Sequence, residues 1–419
     1  MRHVYSFLMY LMTPYMLLRL WWKGRQLPAY RQRILERFVL NDREDIKVDI
    51  WVHAVSLGEV IAATPLIDAL LAKQWTILVT TMTPTGAERV RARFGEKVIH
   101  QYMPYDLPGV TKRFFKRTKA RVGLIVETEL WPNIIHYAYK AQMDLFLVNA
   151  RLSERSYQGY RKVKFLFKPV LNQFNAILAQ SEDDAKRFKA LGAVASKVIV
   201  LGNMKFDLQT QNINTELFLE LKASWGAERV VVMVASTHED EEELVLSRLK
   251  KLQAGIDNMI LLIAPRHPER FQKVHQLSVQ LGFNTGLRSQ KETLSKENEV
   301  VILDSLGELL GFYQISDYAF VGGSLVPVGG HNVLEPIAMK VPVLSGTQVH
   351  NFKTICRDLQ EAQAIELVEN ADMLIERIIA LHQDGNRKRN LVTNATMVLE
   401  ANKGAVARYV AKAQSILNG

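Results

Sequence analysis

From Ile50 onward the chain repeats one rhythm: a short β-branched or aliphatic run, a loop, then a helix-like stretch. The first set of runs is Asp49–His53, Thr76–Thr80, Val98–Met103, Leu124–Val126, Phe146–Val148, Ile177–Ala179 and Val198–Leu201. After Lys205 the rhythm starts afresh with Val230–Val234, Ile260–Ile263, Val300–Leu303, Tyr318–Val321 and Val341–Leu344. Stretches such as Thr85–Phe94 and Asp183–Leu191 separate the runs, and the tail from Ala371 to Leu417 reads as helices. Such alternation requires parallel sheets covered on both faces. The pattern predicts an α/β chain of two Rossmann-like domains joined near Gly202–Leu208. Ligands are expected at the carboxyl ends of strands, in a cleft between the domains. A length of 419 residues, long for one core, agrees with two.

Charge divides along the same line. Residues 1–205 hold 32 Lys and Arg against 17 Asp and Glu, a net of +15; the remainder hold 21 and 26, a net of −5. The first half therefore faces something anionic, whether nucleic acid, acidic membrane or phosphorylated substrate. The single cysteine, Cys356, excludes an internal disulfide framework and a multi-cysteine metal site.

Val4–Leu18 carries no charge and runs on into Leu20-Trp21-Trp22, with Arg19, Lys23, Arg25, Arg31, Arg33 and Arg37 following. A cleaved signal peptide needs a charged front and a small-residue cleavage site, and neither is evident. The run is short for a bilayer span, and Pro14 would kink it. Three readings stand: a short span, a helix lying in the interface with Trp21 and Trp22 at headgroup level, or a buried first helix. Either membrane reading leaves the bulk of the chain cytoplasmic, because the positive charge lies downstream.

The candidate chemistry sits where strands end. Glu59, in His53-Ala54-Val55-Ser56-Leu57-Gly58-Glu59, opens a helix directly after the first strand, as a general base or simply a complement to the helix dipole. Ser56 has no Asp-His companion for a nucleophile's role. Glu127 and Glu129 end another strand; two apart in an extended chain, they point to opposite faces, so one of them is expected to face the cleft. Neither has partners at metal-ligand spacing, and no metal is expected. Lys205, in Gly202-Asn203-Met204-Lys205-Phe206-Asp207, is either a cleft cation or a surface lysine.

In the second half, Ser236 and Thr237 form a hydroxyl turn before the acidic run Glu239–Glu243, and the hydroxyls are placed to touch a ligand. Pro265 and Arg266 follow a buried strand, and a guanidinium there suits phosphate or carboxylate. Gly307, Glu308 and Leu309 form a strand-end turn able to grip a base or ribose. Phe320–Pro336 (F-V-G-G-S-L-V-P-V-G-G-H-N-V-L-E-P) is a glycine-rich loop feeding a helix start at Asn332 and Glu335. Unpaired N–H groups at such a place suit phosphate, and Glu335 suits ribose hydroxyls. The same pair also reads as a plain capping box. The spacing is not G-x-G-x-x-G, so no dinucleotide fingerprint is present. The basic runs Lys112–Arg121 and Arg151–Lys168 are solvated faces or, with Phe114, Phe115, Phe165 and Phe167, a surface for anionic lipid headgroups.

Taken together, Y-R-Q-R-I-L-E-R-F (Tyr30–Phe38), H-A-V-S-L-G-E-V, E-T-E-L-W-P-N, G-N-M-K-F-D, A-P-R-H-P-E-R and G-G-H-N-V-L-E-P resemble bacterial Kdo transferases, in order, from the N-terminal segment to about Pro336. Those enzymes move 3-deoxy-D-manno-oct-2-ulosonic acid (Kdo) from CMP-Kdo to a lipid A precursor. The resemblance implies a GT-B fold: a membrane anchor over residues 1–24, an acceptor-binding domain over 25–205 and a CMP-sugar domain over 206–419. It implies inversion at the anomeric carbon, no cofactor beyond the donor, and residence at the inner membrane on its cytoplasmic side. Glu59 then matches the general base, and Glu127 or Glu129 with Lys205 the groups that steady the transition state. Pro265-Arg266, Gly307–Leu309 and Gly330 with Asn332–Glu335, which includes Val333 and Leu334, match CMP-binding segments. Val326-Pro327-Val328 and the particular hydrophobes of the anchor depart from the pattern without touching a role. The competing expectations are a membrane-associated transferase of the same fold using a UDP-sugar, a related isomerase, which needs no anchor, and a non-catalytic binder of anionic surfaces. A nucleic-acid module has no reason for glycine-rich and acidic strand ends in both halves, so no nucleic acid is expected.

Overall fold

The computed structural model describes residues 1–40, 45–208, 213–290 and 294–417. It divides into two compact units, Met1–Asp207 with Lys403–Gly419, and Leu208–Asn402.

The first unit is built on seven strands: β1 (Ile46–His53), β2 (Ile77–Thr81), β3 (Ile99–Tyr102), β4 (Thr118–Val126), β5 (Asp144–Ala150), β6 (Ala176–Ala179) and β7 (Val198–Val200). All pair in parallel, in the order β3-β2-β1-β4-β5-β6-β7. The second unit repeats the plan with β8 (Val230–Thr237), β9 (Met259–Pro265), β10 (Thr285–Leu287), β11 (Val300–Ile302), β12 (Tyr318–Val321), β13 (Val343–Gly346) and β14 (Glu366–Val368). Its parallel order is β10-β11-β9-β8-β12-β13-β14.

Side-chain alternation explains why each sheet is buried on both faces. On β1, Trp51 enters one core while Ile50 and Val52 enter the core on the opposite face. Phe114 and Phe115 pack edge-on against Trp51, at centroid distances of 5.8 and 5.5 Å. At 1% and 6% exposed they belong to that core, which removes them from any lipid-docking surface. The amphipathic helix Pro108–Arg117 turns its charges outward and its phenylalanines inward. Phe165 alone of the four aromatics stays well exposed, while Phe167 is partly buried against the same core.

Residues Arg2–Gln26 form helix α1, with Pro14 inside it. One side, with Tyr5, Met9, Met16 and Leu20, packs on the first core. Arg2 and Ser6 each donate to Asn133 Oδ1 at 3.0 Å, tying α1 to the body. Its other side leaves Val4, Phe7, Leu11, Tyr15, Leu18 and Trp22 exposed. Among the described residues no helix is long and apolar enough to cross a membrane, so of the readings open for residues 1–24 the short span is not found. The uncharged run Val4–Leu18 is short of the ~20 apolar residues a span needs, and Ser6, Thr13, Pro14 and three tyrosines interrupt it.

The tail also departs from expectation. The division at residue 205 assigned 206–419 to one domain, yet residues 403–417 pack with the first unit. Asp207 accepts from Gly404 N and Val406 N, and Tyr409 Oη donates to the carbonyls of Leu178 and Gly202. Helix Ala405–Leu417 thereby covers the face of the sheet that holds Ile50 and Val52.

Candidate active site

Strand order sets the first site. In the first sheet the connections run one way from β1 to β2 and the other way from β4, so β1 and β4 flank the point where ligands bind in such sheets. The loops leaving those two strands carry the acids.

Ser56 caps helix α2 (Leu57–Leu71), its hydroxyl accepting from Glu59 N at 3.5 Å. The Glu59 carboxylate folds back in return, accepting from Val55 N at 2.8 Å and Ser56 Oγ at 3.1 Å. Glu59 therefore sits in the first turn of α2 bonded back to the residues before it, and these bonds hold the carboxylate at the sheet edge. Burial, above all, and then the negative charges of Glu129 and Glu127 push its pKa up to about 8, against the pull of the Val55 N–H.

Glu127 takes a left-handed backbone conformation, φ 60°, at the end of β4. That break in the extended chain removes the strict alternation expected of residues two apart, and both carboxylates raise the pKa of Glu59. Glu129 Oε2 accepts from Trp131 Nε1 at 2.7 Å, and burial raises its pKa to about 7. Lys205 Nζ lies 4.0 Å from Glu127 Oε1. Burial lowers the lysine's pKa and Glu127 opposes that shift. The turn is held by Asn203, which accepts from Lys205 N at 3.0 Å, and by Asn149, a residue the motifs did not single out. Asn149 is fully buried, sits at φ 51° and accepts from Met204 N at 3.0 Å. Glu59, Glu127, Glu129 and Lys205 thus form one electrostatic cluster. It offers a poised base beside a cation.

His53, also unassigned by sequence reasoning, is fully buried at the end of β1 with Nδ1 3.0 Å from Thr80 Oγ1. Burial drives its pKa down to about 4, so it is a neutral packing element.

In the second unit β8 and β12 flank the equivalent reversal. Here the structure corrects the phosphate-loop expectation. Glu241, fully buried, accepts from His238 N, Gly323 N, Ser324 N and Leu325 N at 2.6–3.0 Å. The first N–H groups of the glycine loop are occupied by a carboxylate of the protein itself. A Cβ on Gly322 would stand 2.9 Å from Glu241 Oε2, which is why glycine is needed there. Gly329 and Gly330, at φ 111° and 73°, both donate to Gly323 O and close the loop on itself.

Thr237 is likewise committed. Its buried hydroxyl donates to Glu242 at 2.8 Å, and Glu242 pairs with Arg270, so the expected ligand contact of Thr237's hydroxyl gives way to a structural one. Ser236, at φ 56°, sits in a bulge between β8 and β9. Glu308 pairs with Arg288 at 2.9 Å and accepts from Ser305, while Gly307 turns at φ 85° and Leu309 opens the next helix. Pro265 ends β9, and Arg266 beyond it is exposed.

Asn332 Oδ1 accepts from Leu334 N at 3.2 Å and its Nδ2 donates to Glu335 Oε1 at 3.1 Å. The capping box is not formed: Val333 is the boundary residue of helix Leu334–Ala338, with no side-chain cap, and Asn332 instead bonds the Glu335 side chain. Burial raises the pKa of Glu335, offset by Asn332 and then Arg266. A histidine pair was not anticipated: His238 Nε2 lies 2.8 Å from His331 Nε2, the rings parallel, with His267 edge-on to His238. Burial, followed by Arg266, takes His331 down to about 3, so the pair shares its hydrogen bond in neutral form. Histidines far apart in sequence carry no local signal that they meet. Among the described residues no group of three or more His, Cys, Asp or Glu side chains is placed to hold a metal ion.

The family model for 3-deoxy-D-manno-octulosonic-acid transferase (kdotransferase) matches residues 32–208. A 3-deoxy-D-manno-octulosonic acid transferase of Haemophilus influenzae is 39% identical over 414 residues, 98% of this chain and 97% of its own. Its namesake from Bordetella pertussis is 32% identical over 370 residues, 86% and 85%. Among solved structures, a glycosyltransferase of Rickettsia africae shares the fold at a TM-score of 0.57 and 15% identity, over 90% of this chain and 99% of that one. By its identity to a relative along nearly its whole length, the chain belongs to the 3-deoxy-D-manno-octulosonic acid transferase family.

Proposed function

We propose that the chain is an inverting glycosyltransferase of the GT-B type that moves Kdo from CMP-Kdo to a lipid A precursor in lipopolysaccharide assembly. Family membership supports the reaction class, and one observation carries the mechanism. Three carboxylates and a lysine meet at the β1/β4 reversal, with Glu59 raised to about 8.

In this reading Glu59 takes the proton from the acceptor hydroxyl while that oxygen bonds to the anomeric carbon and CMP departs with the electrons of the broken bond. A positioned base of this kind contributes ~10²–10⁴-fold. Lys205, balanced by Glu127, faces the carboxylate of the donor sugar, and Glu129 sets the charge around the base. The second unit holds the nucleotide: Arg266 meets phosphate, and Glu335, steadied by Asn332, meets ribose hydroxyls. Gly307–Leu309, Ser236 and the backbone from Gly330 through Val333 and Leu334 shape the base and ribose pocket. No cofactor beyond the donor enters this scheme. The exposed apolar side of α1 lies in the interface of the inner membrane, with the catalytic units on the cytoplasmic side.

The test is mass spectrometry of lipid product after incubation with lipid A precursor and a CMP-Kdo supply. A mass increment of Kdo residues is expected, with CMP and not UDP competing for the donor site. No increment, with donor intact and protein folded, overturns the proposal.

A further inference from the structure

Beneath α1 the first unit holds a cavity of about 360 Å³, within the ~300–1,000 Å³ usual for small-ligand pockets. Its apolar wall includes Met9, Met16, Leu20, Met82, Met103 and Ile134. Four of those six are methionines, whose flexible thioethers fit an irregular or variable guest better than branched side chains do.

The charged groups of this wall are three cations and one acid. Arg19 and Lys23 stand exposed on α1. Arg37 is only 2% exposed; it donates to Met82 O at 3.0 Å, lies 4.2 Å over the Tyr102 ring, and its Nε has no partner. The one acid of the wall, Asp106, is already engaged, accepting from Asn133 N and Ile134 N and bonded to Tyr5. An apolar cavity under net positive charge selects an anionic amphiphile.

Its neighbours decide which one. Val55, in the wall, donates its N–H to Glu59, and Trp131, also in the wall, donates Nε1 to Glu129. Whatever fills the cavity therefore touches the residues that hold the two raised carboxylates. The helix lining it is the one whose opposite side exposes Phe7, Leu11, Leu18 and Trp22, where a lipid surface would lie. We propose that this cavity holds a single acyl chain of the phosphorylated acceptor lipid, with Arg19 and Lys23 on its phosphate and the reacting hydroxyl thereby brought to Glu59. The proposal deepens the transferase reading and rests on it for the identity of the acceptor.

Binding is tested without turnover. The full chain is titrated with a 14-carbon lysophosphatidic acid below its micelle concentration, beside the matching neutral monoglyceride and inorganic phosphate. One saturable lysolipid per chain is expected, bound about ten-fold or more tighter than the monoglyceride, with phosphate alone not saturating. Leu20→Trp, which fills the cavity, is expected to weaken the lysolipid at least about ten-fold. The paired surface changes Arg19→Glu and Lys23→Glu, which leave the core untouched, should weaken the lysolipid but not the monoglyceride. In turnover, Leu20→Trp should raise KM for the acylated acceptor while the donor KM stays put. Absence of saturable lysolipid binding, or equal binding by all variants, overturns the pocket. Saturable binding in a protein that makes no Kdo-lipid product leaves the pocket standing and defeats the transferase reading instead.

Discussion

At the scale of single residues the proposed mechanism turns on Glu59. Its carboxylate is held by the Val55 N–H and Ser56 hydroxyl and raised by burial and two neighbouring acids. Glu59→Gln keeps the size and the capping contact but cannot take a proton. Turnover should fall ~10²–10⁴-fold with donor affinity unchanged. Turnover within a few-fold of the parent would reject Glu59 as the base. The pH profile is a second check. A base raised to about 8 must lose its proton to work, so kcat/KM should climb with pH through that value. Glu129→Gln removes a neighbouring charge, the largest electrostatic cause after burial, and should move the rising limb to lower pH. A limb that does not move would assign it to another group. The same shift bears on stability with a definite sign. A carboxyl whose folded pKa lies above its unfolded 4.5 favours the fold at pH below about 4.5 and loses that contribution as pH rises through about 8. Glu59→Gln should therefore gain stability over the parent at pH 9 relative to pH 4, read by urea denaturation at both.

At the scale of elements, the glycine loop after β12 is held by one carboxylate. Glu241→Ala would strand four backbone N–H groups, each costing ~1–3 kcal/mol if left unpaired in the interior. A loss of at least ~3 kcal/mol is expected in the urea transition, with Glu241→Gln losing less because its amide oxygen still accepts. Equal stability of Glu241→Ala and the parent would mean the loop does not depend on this bracket. Here too lies the limit of what the amino-acid order reveals. Twelve of the strands announce themselves as β-branched or aliphatic runs, because both faces of a parallel strand are buried. Thr285–Leu287 and Glu366–Val368 do not: each is a three-residue edge strand carrying a glycine or a charge. Site residues at strand ends were visible because loops there are short and chemically distinct. Glu241 was hidden inside an acidic run whose members look alike on paper and differ only in which are buried. Glu127's left-handed backbone, which brings a second acid to bear on Glu59, has no glycine or asparagine to signal it.

At the scale of the whole molecule, charge and apolar surface coincide. The +15 of residues 1–205 belongs to the stretch that carries α1, whose outward side shows Leu18 at 65% and Trp22 at 69% exposed. Large exposed side chains along one helix side are costly in water, and they mark a surface that meets something apolar. Among the described residues no helix is long and apolar enough to cross a membrane, and the inward side of α1 is already packed. On the membrane reading proposed above, a helix lying flat at a bilayer would satisfy both sides at once, with Arg19, Lys23 and Arg25 reaching anionic headgroups. Burying Leu18 and Trp22 in the interface is worth ~1.5–3 kcal/mol each, and each basic residue near the surface adds ~1 kcal/mol. The double change Leu18→Ser and Trp22→Ser should accordingly lower partitioning onto vesicles containing phosphatidylserine by about two orders of magnitude. Raising salt should weaken the parent's binding further, because the basic contribution is screened within a Debye length of ~10 Å at 0.1 M. Sedimentation with vesicles measures both effects. Binding that survives the double change, or that does not respond to salt, would place the membrane contact elsewhere on the chain.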